Sequence, residues 1–494
     1  MAARCITLLL AIVAASFTLS AQDSALASTS SAAHRAILNG RYDEAVKLYS
    51  NLVAQLPENA GLHLDLGLAL EKAGRPADAI PHLELVTRAQ PASAAAWFLL
   101  GLAYQQLKRP QQAIAPLRNA VRLDEAKNKQ ALFELADAEM TSGDYVNAAH
   151  HFQRLADARP DMAKAWQGTS VAYSRWSDEI EARLQRSAPE SAYAKIVAAR
   201  TQTEKQHFGF ALDLYRQAMR SVPSMPGLHK ACAQIYRQTG HADWAATEDA
   251  REQQLVSRPC VEHSAACAYQ KADYQSALAF QGEDAETLYW QALSASQLAA
   301  QGLKNLARLP PSPAQHEVLA EVHQRKGQRL EAVEEWRRAL ALAPGDHRLE
   351  GRLADSLYRA RLYPEAEQRL TSVAAAEPQN SEWQYLLGSV LLDEQHPEKA
   401  LAPLENAIRL QPGFLPAEES LGRAYLSARR VTEAIVHLKR ALPLDDGSLS
   451  FALSTAYRKA GRPDDARAAL AHYREMEKAK SAPQTNSQGT ITPP

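Results

Sequence analysis

The stretch Glu331–Pro344 reads EAVEEWRRALALAP, and related phrases follow at Glu365–Pro378 (EAEQRLTSVAAAEP) and Lys399–Pro412 (KALAPLENAIRLQP). Each phrase has an alanine, a large apolar residue four positions later, an apolar or small residue three after that, and a closing proline. Intervals of three, four and seven residues fall on one face of a helix. Proline cannot continue a helix, because it lacks the backbone N–H. The phrases therefore predict amphipathic helices that each end before a proline.

The alanine of this phrase recurs at a nearly constant interval along most of the chain. Within three groups the spacing is 34 or 35 residues: Ala45, Ala79, Ala113 and Ala148; Ala211 and Ala245; Ala332, Ala366, Ala400 and Ala434. A large apolar residue followed by a small one, as in Leu66-Gly67 and Leu387-Gly388, precedes the phrase and marks a first helix. The small residue and the alanine let two antiparallel helices approach closely. One such pair cannot bury its apolar face alone, so neighbouring pairs must stack.

This pattern closely resembles the tetratricopeptide repeat (TPR) family, whose helix–turn–helix units it matches position by position. About a dozen units fit between residues 31 and 476. The resemblance implies an all-α fold, a right-handed superhelical solenoid of antiparallel helix pairs arranged in one or two blocks.

The repeat pattern weakens in two places, and these suggest the domain organisation. Residues 163–191 keep only Ala182 of the second-helix phrase, and residues 278–312 lose the phrase in a break that ends in LPPSP at Leu309–Pro313. We therefore predict an N-terminal block at 31–259 with an irregular unit at 163–191, and an irregular helical junction at 260–313. A C-terminal block at 314–476 and a disordered tail at 477–494 complete the prediction.

The N-terminus resembles a targeting segment. An uncharged apolar run at residues 5–19 follows Arg4, and small residues come after it, with cleavage expected after Ala21 or Ala27. The run is shorter than the ~20 apolar residues that span a bilayer. These features favour a cleaved signal peptide, placed at 1–21, over a retained membrane anchor. The expected mature chain is exported to the periplasm or the extracellular space and has no membrane span.

Composition and motifs exclude several functional classes. The 494 residues carry 55 Lys+Arg and 56 Asp+Glu, without the basic excess that is typical of nucleic-acid binding. Metal-protease, nucleophile-elbow and phosphate-loop motifs are absent from the sequence. We therefore predict no enzyme activity, no cofactor, no metal and no nucleic-acid partner. An enzyme hidden in residues 258–312 is disfavoured, because that segment is too short for a catalytic domain.

The family resemblance also implies a binding surface. In TPR proteins, positions two, five, nine and twelve or thirteen of the first helix line a concave face. Position nine includes Asp137 and Asp355 but no asparagine, so the family's clamp for a C-terminal carboxylate is not expected. Transferred to the C-terminal block, these positions suggest the following partner-binding residues: Glu321, Arg325, Asp355, Tyr358, Arg359, Tyr385, Arg423 and Arg458.

The stretch CVEHSAAC, Cys260–Cys267, is the one unusual local feature. In an oxidising compartment Cys260 and Cys267 would form a small disulfide loop, which is the interpretation we favour. Free thiols, or a metal site that adds His263, are the alternatives. Cys232 lies at a core position of a first helix, and we predict that it is a buried apolar residue.

Together these features predict an exported scaffold that binds a protein or peptide through its concave surface and catalyses nothing itself. The alternative is an accessory adaptor subunit of a glycan-assembly or secretion machinery, because TPR arrays are also attached to such machinery. The sequence does not identify the partner, since a repeat fold determines the kind of surface and not its ligand.

Overall fold

We describe the computed structural model of the chain over residues 25–124, 129–255, 262–481 and 491–494. Within these ranges the chain forms α-helices and no β-strand, with one 3₁₀ turn at Leu442–Leu444. The helices follow one another as a repeat array, which confirms the predicted all-α solenoid of helix pairs. None of the helices in these ranges combines the length and apolar character needed to cross a membrane.

The helices are numbered in chain order. The first nine are α1 (25–38), α2 (Tyr42–Gln55), α3 (Ala60–Lys72), α4 (Pro76–Ala89), α5 (Ala94–Gln106), α6 (Pro110–Asp124), α7 (Lys129–Ser142), α8 (Tyr145–Ala158) and α9 (Ala163–Ser187). The next seven are α10 (Ala192–Glu204), α11 (Phe208–Ser221), α12 (Leu228–Gln238), α13 (Ala242–Gln254), α14 (Ala265–Gln270), α15 (Tyr274–Ala279) and α16 (Ala285–Ala307). The last ten are α17 (Pro313–Arg325), α18 (Arg329–Leu342), α19 (His347–Arg359), α20 (Tyr363–Ala376), α21 (Ser381–Asp393), α22 (Pro397–Leu410), α23 (Leu415–Ser427), α24 (Val431–Arg440), α25 (Ser448–Lys459) and α26 (Pro463–Ser481).

The two helices of a unit are joined by the same tight turn along most of the array. Between α3 and α4, Gly74 has a φ of 72°, and the N–H of Arg75 donates to the carbonyl of Leu70 at 2.9 Å. This bond closes the end of the first helix in a Schellman motif. The residue with positive φ is called the turn residue below. It is Gly40, Gly74, Gly143, Gly240, Gly327 or Gly461 in half of these turns, and Lys108, Gln206, Ala272, Arg361, Gln395 or Arg429 in the others.

Close contact within a helix pair explains the small residue of the first helix. A Cβ added to Gly388 on α21 would lie 2.4 Å from Cγ of Leu404 on α22. Leu404 is the large residue four positions after Ala400, and it is fully buried. The same contact recurs between Gly67 and Leu83. The large residue of the second helix therefore packs directly over the backbone of the first helix.

The predicted proline stops are confirmed. Helix α2 ends at Gln55, and Pro57 follows two residues later. The same offset places Pro91, Pro160, Pro223, Pro344, Pro378 and Pro412 after α4, α8, α11, α18, α20 and α22. The proline ends each second helix because its ring conflicts with the preceding turn.

Two long helices interrupt the regular pairing. Helix α9 has 25 residues and runs without a turn where the sequence predicted an irregular unit. It packs against the 23-residue helix α16, and the Ser177 hydroxyl donates to the Ala292 carbonyl at 2.8 Å. A Cβ on Gly302 would lie 3.1 Å from the Ser170 nitrogen, so glycine permits this close approach.

Contacts divide the described residues into two compact units. Unit 1 comprises those within Met1–Ser187 and Cys260–Leu306, and unit 2 those within Ala188–Pro259 and Ala307–Pro494. The chain thus leaves unit 1 after α9, contributes α10–α13 to unit 2, and returns. The predicted blocks, 31–259 and 314–476, follow the continuous sequence register rather than these contacts. Their boundaries stay a prediction.

The C-terminal part of unit 2 is more ordered than the sequence suggested. Helix α26 runs through Ser481, beyond the predicted start of the disordered tail at residue 477, because helix-favouring Ala, Glu and Lys residues continue to that point. Residues 491–494 contact α11 and α12. The predicted signal peptide at 1–21 lies outside the described residues.

Candidate partner-binding site

All eight predicted partner-binding residues lie on first helices of unit 2. Glu321 and Arg325 are on α17; Asp355, Tyr358 and Arg359 are on α19; Tyr385 is on α21; Arg423 is on α23; and Arg458 is on α25. A hydrogen bond and mutual charge effects connect four of them, Asp355, Tyr358, Arg359 and Tyr385, and Arg423 is connected to Tyr385 through its partner Glu419. We call these five residues the central cluster.

The ion pair between Asp355 and Arg359 is the core of the central cluster. Its residues are four apart on α19, so both side chains lie on one helix face. Nε of Arg359 donates to the two carboxylate oxygens of Asp355, at 3.0 and 2.9 Å. The Asp355 residue is 7% exposed, whereas the Arg359 side chain is 63% exposed. The bond to Asp355 raises the pKa of Arg359 further, and the terminal guanidinium nitrogens remain available to a ligand.

Two half-buried tyrosines flank this ion pair. Burial raises the pKa of Tyr358, and the charge of Asp393 and a hydrogen bond to it add to the effect. Burial also raises the pKa of Tyr385, although a hydrogen bond with Ser389 opposes the shift. The Tyr385 ring packs edge-on against Phe414, with centroids 5.1 Å apart. Both phenols are therefore neutral near pH 7 and can exchange hydrogen bonds with a ligand.

Arg423 extends the cluster onto α23. Its Nη2 lies 2.9 Å from Oε1 of Glu419, and the same nitrogen donates to the Ser448 hydroxyl of α25 at 2.9 Å. The Glu419 charge in turn contributes to the raised pKa of Tyr385. Arg423 thus contacts α25 directly, and the charge of its partner Glu419 acts on Tyr385 of α21.

The remaining predicted residues lie to either side of the central cluster. Arg325 and Arg458 are exposed, on α17 and α25. Within the described part of the chain, neither guanidinium has a carboxylate within salt-bridge distance. Glu321 is exposed on α17. These three residues are therefore not part of the central cluster, and their role in partner binding stays a prediction.

The sequence-based reasoning missed the ion pairs that join neighbouring first helices. Arg348 of α19 forms a bidentate pair with Glu317 of α17, at 2.6 and 2.9 Å. Arg352 pairs with Glu382 of α21 at 3.1 Å and lies 5.8 Å from the ring centroid of Trp383. The available signal was opposite charge at a separation of 30 or 31 residues. These bridges connect α17 to α19 and α19 to α21.

A second missed feature is a buried polar pair inside several units. The sequence separation is always 19 residues: His229–Glu248 at 2.5 Å, His316–Glu335 at 2.6 Å and Glu418–His437 at 2.5 Å, all in unit 2. The same positions in unit 1 hold His63 and His82, whose Nδ1 atoms are 2.8 Å apart. Single histidines appeared scattered in the sequence, and only their constant separation from the partner could have revealed the pairing.

The first helices of unit 1 carry carboxylates in a different setting. Burial is the largest cause of a raised pKa for Asp65, Glu71, Glu134 and Asp137. Gln105 of α5 bonds the backbone carbonyl of Glu134 at 3.0 Å, and Gln106 bonds the Glu71 carboxylate. Neutral amides, and not cations, therefore provide the hydrogen bonds at this face.

The predicted cysteine pair lies partly outside the described residues. Cys267 is buried and disulfide-bonded, but Cys260 is not described, so their pairing stays a prediction. Cys232 is a free thiol, 2% exposed, and burial raises its pKa to about 12. In the described ranges, no three His, Cys, Asp or Glu residues are placed to hold a metal ion.

Comparison with protein families supports the repeat assignment. The family model described as Tetratricopeptide repeat matches residues 31–86, 64–128, 109–163, 133–175, 352–413 and 385–448. These segments include α21, α23 and the part of α19 from residue 352, on which the central cluster lies. A comparison with curated proteins returns no match.

Solved structures of repeat proteins resemble part of the chain. A structure of MamA, residues 41 to the end, from Desulfovibrio magneticus RS-1 is 19% identical, with a TM-score of 0.31, covering 34% of this chain and 97% of MamA. A thermophilic TPR protein from Thermus thermophilus is 22% identical, with a TM-score of 0.29, covering 36% of this chain and 95% of its own. We take no site or partner from either.

Proposed function

We propose that this protein is an exported, non-catalytic scaffold that binds an extended protein or peptide segment along the first helices of unit 2. The TPR array itself supports a protein-interaction scaffold. The observation that carries the finer proposal is the central cluster, which sets charged and aromatic side chains side by side on consecutive first helices. In the repeat family, the first-helix positions that carry these side chains line the concave face.

Arg359 is the main anchor in this proposal. Asp355 holds its Nε, so the guanidinium is already oriented before a ligand arrives, and less side-chain entropy is lost on binding. The terminal nitrogens can donate to a carboxylate or to backbone carbonyls of the bound segment. Arg423 is held in the same way by Glu419 and supplies a second donor.

The tyrosines would provide most of the apolar contact. Tyrosine presents a rigid ring and a polar hydroxyl, and it loses little conformational freedom on binding. Tyr358 and Tyr385 are already fixed by their hydrogen-bond partners and neighbouring rings. A segment with an acidic or amide side chain near an apolar one matches this arrangement.

Export is the part of the proposal that rests on the N-terminal sequence. Helix α1 is described from residue 25, and Leu26 packs against the buried core of the first repeats. Cleavage after Ala21 would keep this contact, whereas cleavage after Ala27 would remove it. N-terminal sequencing of the protein recovered from its native envelope or medium tests this directly. An intact Met1 would contradict export by signal cleavage.

Crosslinking in the native cells tests the binding site. We would place a photo-reactive residue at Arg325, which is exposed beside the cluster, and identify what it captures. The same probe is then introduced into the double variant Asp355→Asn/Arg359→Gln. This variant removes both charges together and leaves no unpaired buried carboxylate.

The control variant is Arg361→Gln in the same background. Arg361 is an exposed turn residue, and Gln395 occupies the corresponding turn one unit later, so glutamine is compatible with the backbone there. We expect one specific product that the double variant loses and the control keeps. Equal capture by both variants would place binding elsewhere, and turnover by the purified chain would contradict a non-catalytic role.

A further inference from the structure

The C-terminal residues of the chain are bound by two side chains of unit 2. Nη2 of Arg216, on α11, donates to the carbonyls of Thr492 and Pro493, both at 2.7 Å, and Nη1 donates to the Thr492 hydroxyl at 2.5 Å. The hydroxyl of Tyr236, on α12, donates to the Thr492 carbonyl at 2.9 Å. The tail is therefore held mainly through its backbone carbonyls.

Two corresponding junctions, between α4 and α5 and between α22 and α23, are closed without a bound segment. Position for position, Glu84 accepts from the Tyr104 hydroxyl at 3.0 Å, and Glu405 accepts from Tyr425 at 2.5 Å. In those junctions the acid and the phenol satisfy each other. Arg216 replaces the acid, so the Tyr236 oxygen accepts from Nη2 of Arg216 and the tyrosine hydroxyl is left to donate to another group. Arginine also stands at this position in two other units, but there it pairs with a carboxylate, as in Arg118–Glu139 and Arg337–Glu365.

The arginine at this junction has unused donors. Its Nη2 also contacts the Tyr236 oxygen at 2.7 Å, and no carboxylate of the described residues lies within salt-bridge distance. The guanidinium therefore needs acceptors from outside the repeat, and backbone carbonyls of an extended segment can provide them. Helix α11 also packs less extensively against α12 than α4 does against α5.

We propose that Arg216 and Tyr236 form a peptide-recognition site whose resident ligand is the chain's own C-terminal segment, Ile491–Pro494, bound in cis. The two prolines suit this role. Their fixed φ favours an extended polyproline II conformation, which keeps successive carbonyls exposed and loses little entropy on docking. The tail blocks the site until it is displaced by a partner segment of the same kind, an extended threonine- and proline-containing peptide.

This site is separate from the central cluster and does not depend on the function proposed above. It shares no residue with the cluster, and its ligand is recognised through carbonyl groups rather than through a charged side chain. Its occupation by the tail makes the site self-inhibited in the intact chain.

A peptide-binding titration tests the inference. The probe is a fluorescein-labelled peptide with the sequence of residues 484–494, QTNSQGTITPP, followed by fluorescence anisotropy. The proteins are the full chain, a chain ending at Thr490, and the shortened chain carrying Arg216→Gln, Tyr236→Phe or Arg220→Gln. Arg220 is an exposed arginine one turn further along α11 and serves as the matched control.

We expect the shortened chain to bind the probe at least tenfold more tightly than the full chain. Arg216→Gln should weaken this binding at least tenfold and Tyr236→Phe several-fold, while Arg220→Gln should leave it unchanged. Equal binding by the full and shortened chains, or no effect of Arg216→Gln, would overturn the proposal. Sedimentation velocity distinguishes binding of the chain's own tail from binding of the tail of a second copy. A full chain that is a dimer and dissociates when it is shortened to Thr490 would overturn binding in cis.

Discussion

Asp137 of unit 1 and Asp355 of unit 2 occupy the same repeat position, six residues before the turn residues Gly143 and Arg361. Four residues after Asp355 stands Arg359, which binds its carboxylate. Four residues after Asp137 stands Thr141, whose hydroxyl instead bonds the Asp137 backbone carbonyl at 2.9 Å. Partial burial raises the pKa of Asp137, with no cation to oppose it.

The difference extends to the first-helix faces of both units. In unit 2, arginines bridge neighbouring first helices, as in Arg348–Glu317. In unit 1, carboxylates such as Glu134 are raised in pKa and meet glutamines. The repeat thus determines where a first-helix carboxylate lies. The residue four positions later, or the residue one unit away, determines whether that carboxylate forms an ion pair and in which direction its pKa shifts. The following predictions test this comparison.

The largest effect is expected for Arg359→Gln. It leaves the Asp355 carboxylate buried without its partner, which should cost about 2 kcal/mol of local stability around α19. Hydrogen exchange of the α19 amides measures this opening free energy, and Arg361→Gln is the matched control. Equal protection in both variants would show that the ion pair does not stabilise this helix.

The buried pair His63–His82 should make the stability of unit 1 sensitive to acid. Burial and the neighbouring His63 lower the pKa of His82, whereas Asp78 opposes this shift. Because the folded pKa lies below the unfolded value of about 6.5, stability contributed by neutral His82 is lost as pH falls from about 6.5 through the lower folded pKa.

Replacing His82 with glutamate would copy the His–carboxylate pairs of unit 2. We expect His82→Glu to stabilise unit 1 near pH 5.5 by about 1 kcal/mol, because a charged hydrogen bond replaces a repulsive pair. Amide exchange of α3 and α4 as a function of pH provides the measurement. A wild-type profile flat between pH 5 and pH 7 would contradict the role of His82.

Glu134 should show the opposite pH dependence. Its pKa is raised, so the folded state favours the protonated form of Glu134. The stability contributed by protonated Glu134 is present below about pH 4 and is lost as pH rises through the folded pKa. Glu134→Gln should therefore stabilise α7 at pH 7 by about 0.5 kcal/mol, and less in acid. Urea unfolding monitored by exchange of α7 amides tests this. Destabilisation at pH 7 would contradict the prediction, because the hydrogen bond from Gln130 to the carboxylate would then outweigh the cost of burial.

The smallest effect is expected from transferring the cation. Thr141→Arg places an arginine four residues after Asp137, as in α19, and should stabilise α7 by roughly 0.3–0.5 kcal/mol. NMR titration should also show a lower pKa for Asp137 than in the wild type. Thr141→Gln is the neutral control. An Asp137 pKa that stays unchanged in Thr141→Arg would mean that an arginine four residues after the aspartate is not sufficient to form the ion pair.

The repeat pattern predicted the fold because its signals are local. The alanine phrase, the first-helix glycines and the prolines each act within about one unit, as the Gly388–Leu404 contact illustrates. The resemblance to the family also named the five residues of the central cluster among eight candidates, and their role in partner binding stays a prediction. The bridges between helices were not predicted, because they depend on which side chains meet one unit apart.

Long-range contacts were beyond the sequence signal. The Ser177–Ala292 bond spans 115 residues, and the contact of Arg216 with Thr492 spans 276. No periodicity marks either pairing, so neither the return of α16 to unit 1 nor the docking of residues 491–494 could be read from spacing. The docked tail instead depends on one junction, in which Arg216 and Tyr236 stand where two other units have the acid–phenol pairs Glu84–Tyr104 and Glu405–Tyr425.

The most direct test of the central claim is the affinity of the crosslinked partner, measured by calorimetry for three chains. These are the wild type, Asp355→Asn/Arg359→Gln in unit 2 and Glu134→Gln/Asp137→Asn in unit 1. Our account predicts binding at least tenfold weaker for the unit 2 variant and unchanged for the unit 1 variant. Loss of binding in the unit 1 variant alone would contradict it, and would assign the partner to the carboxylate face of α7.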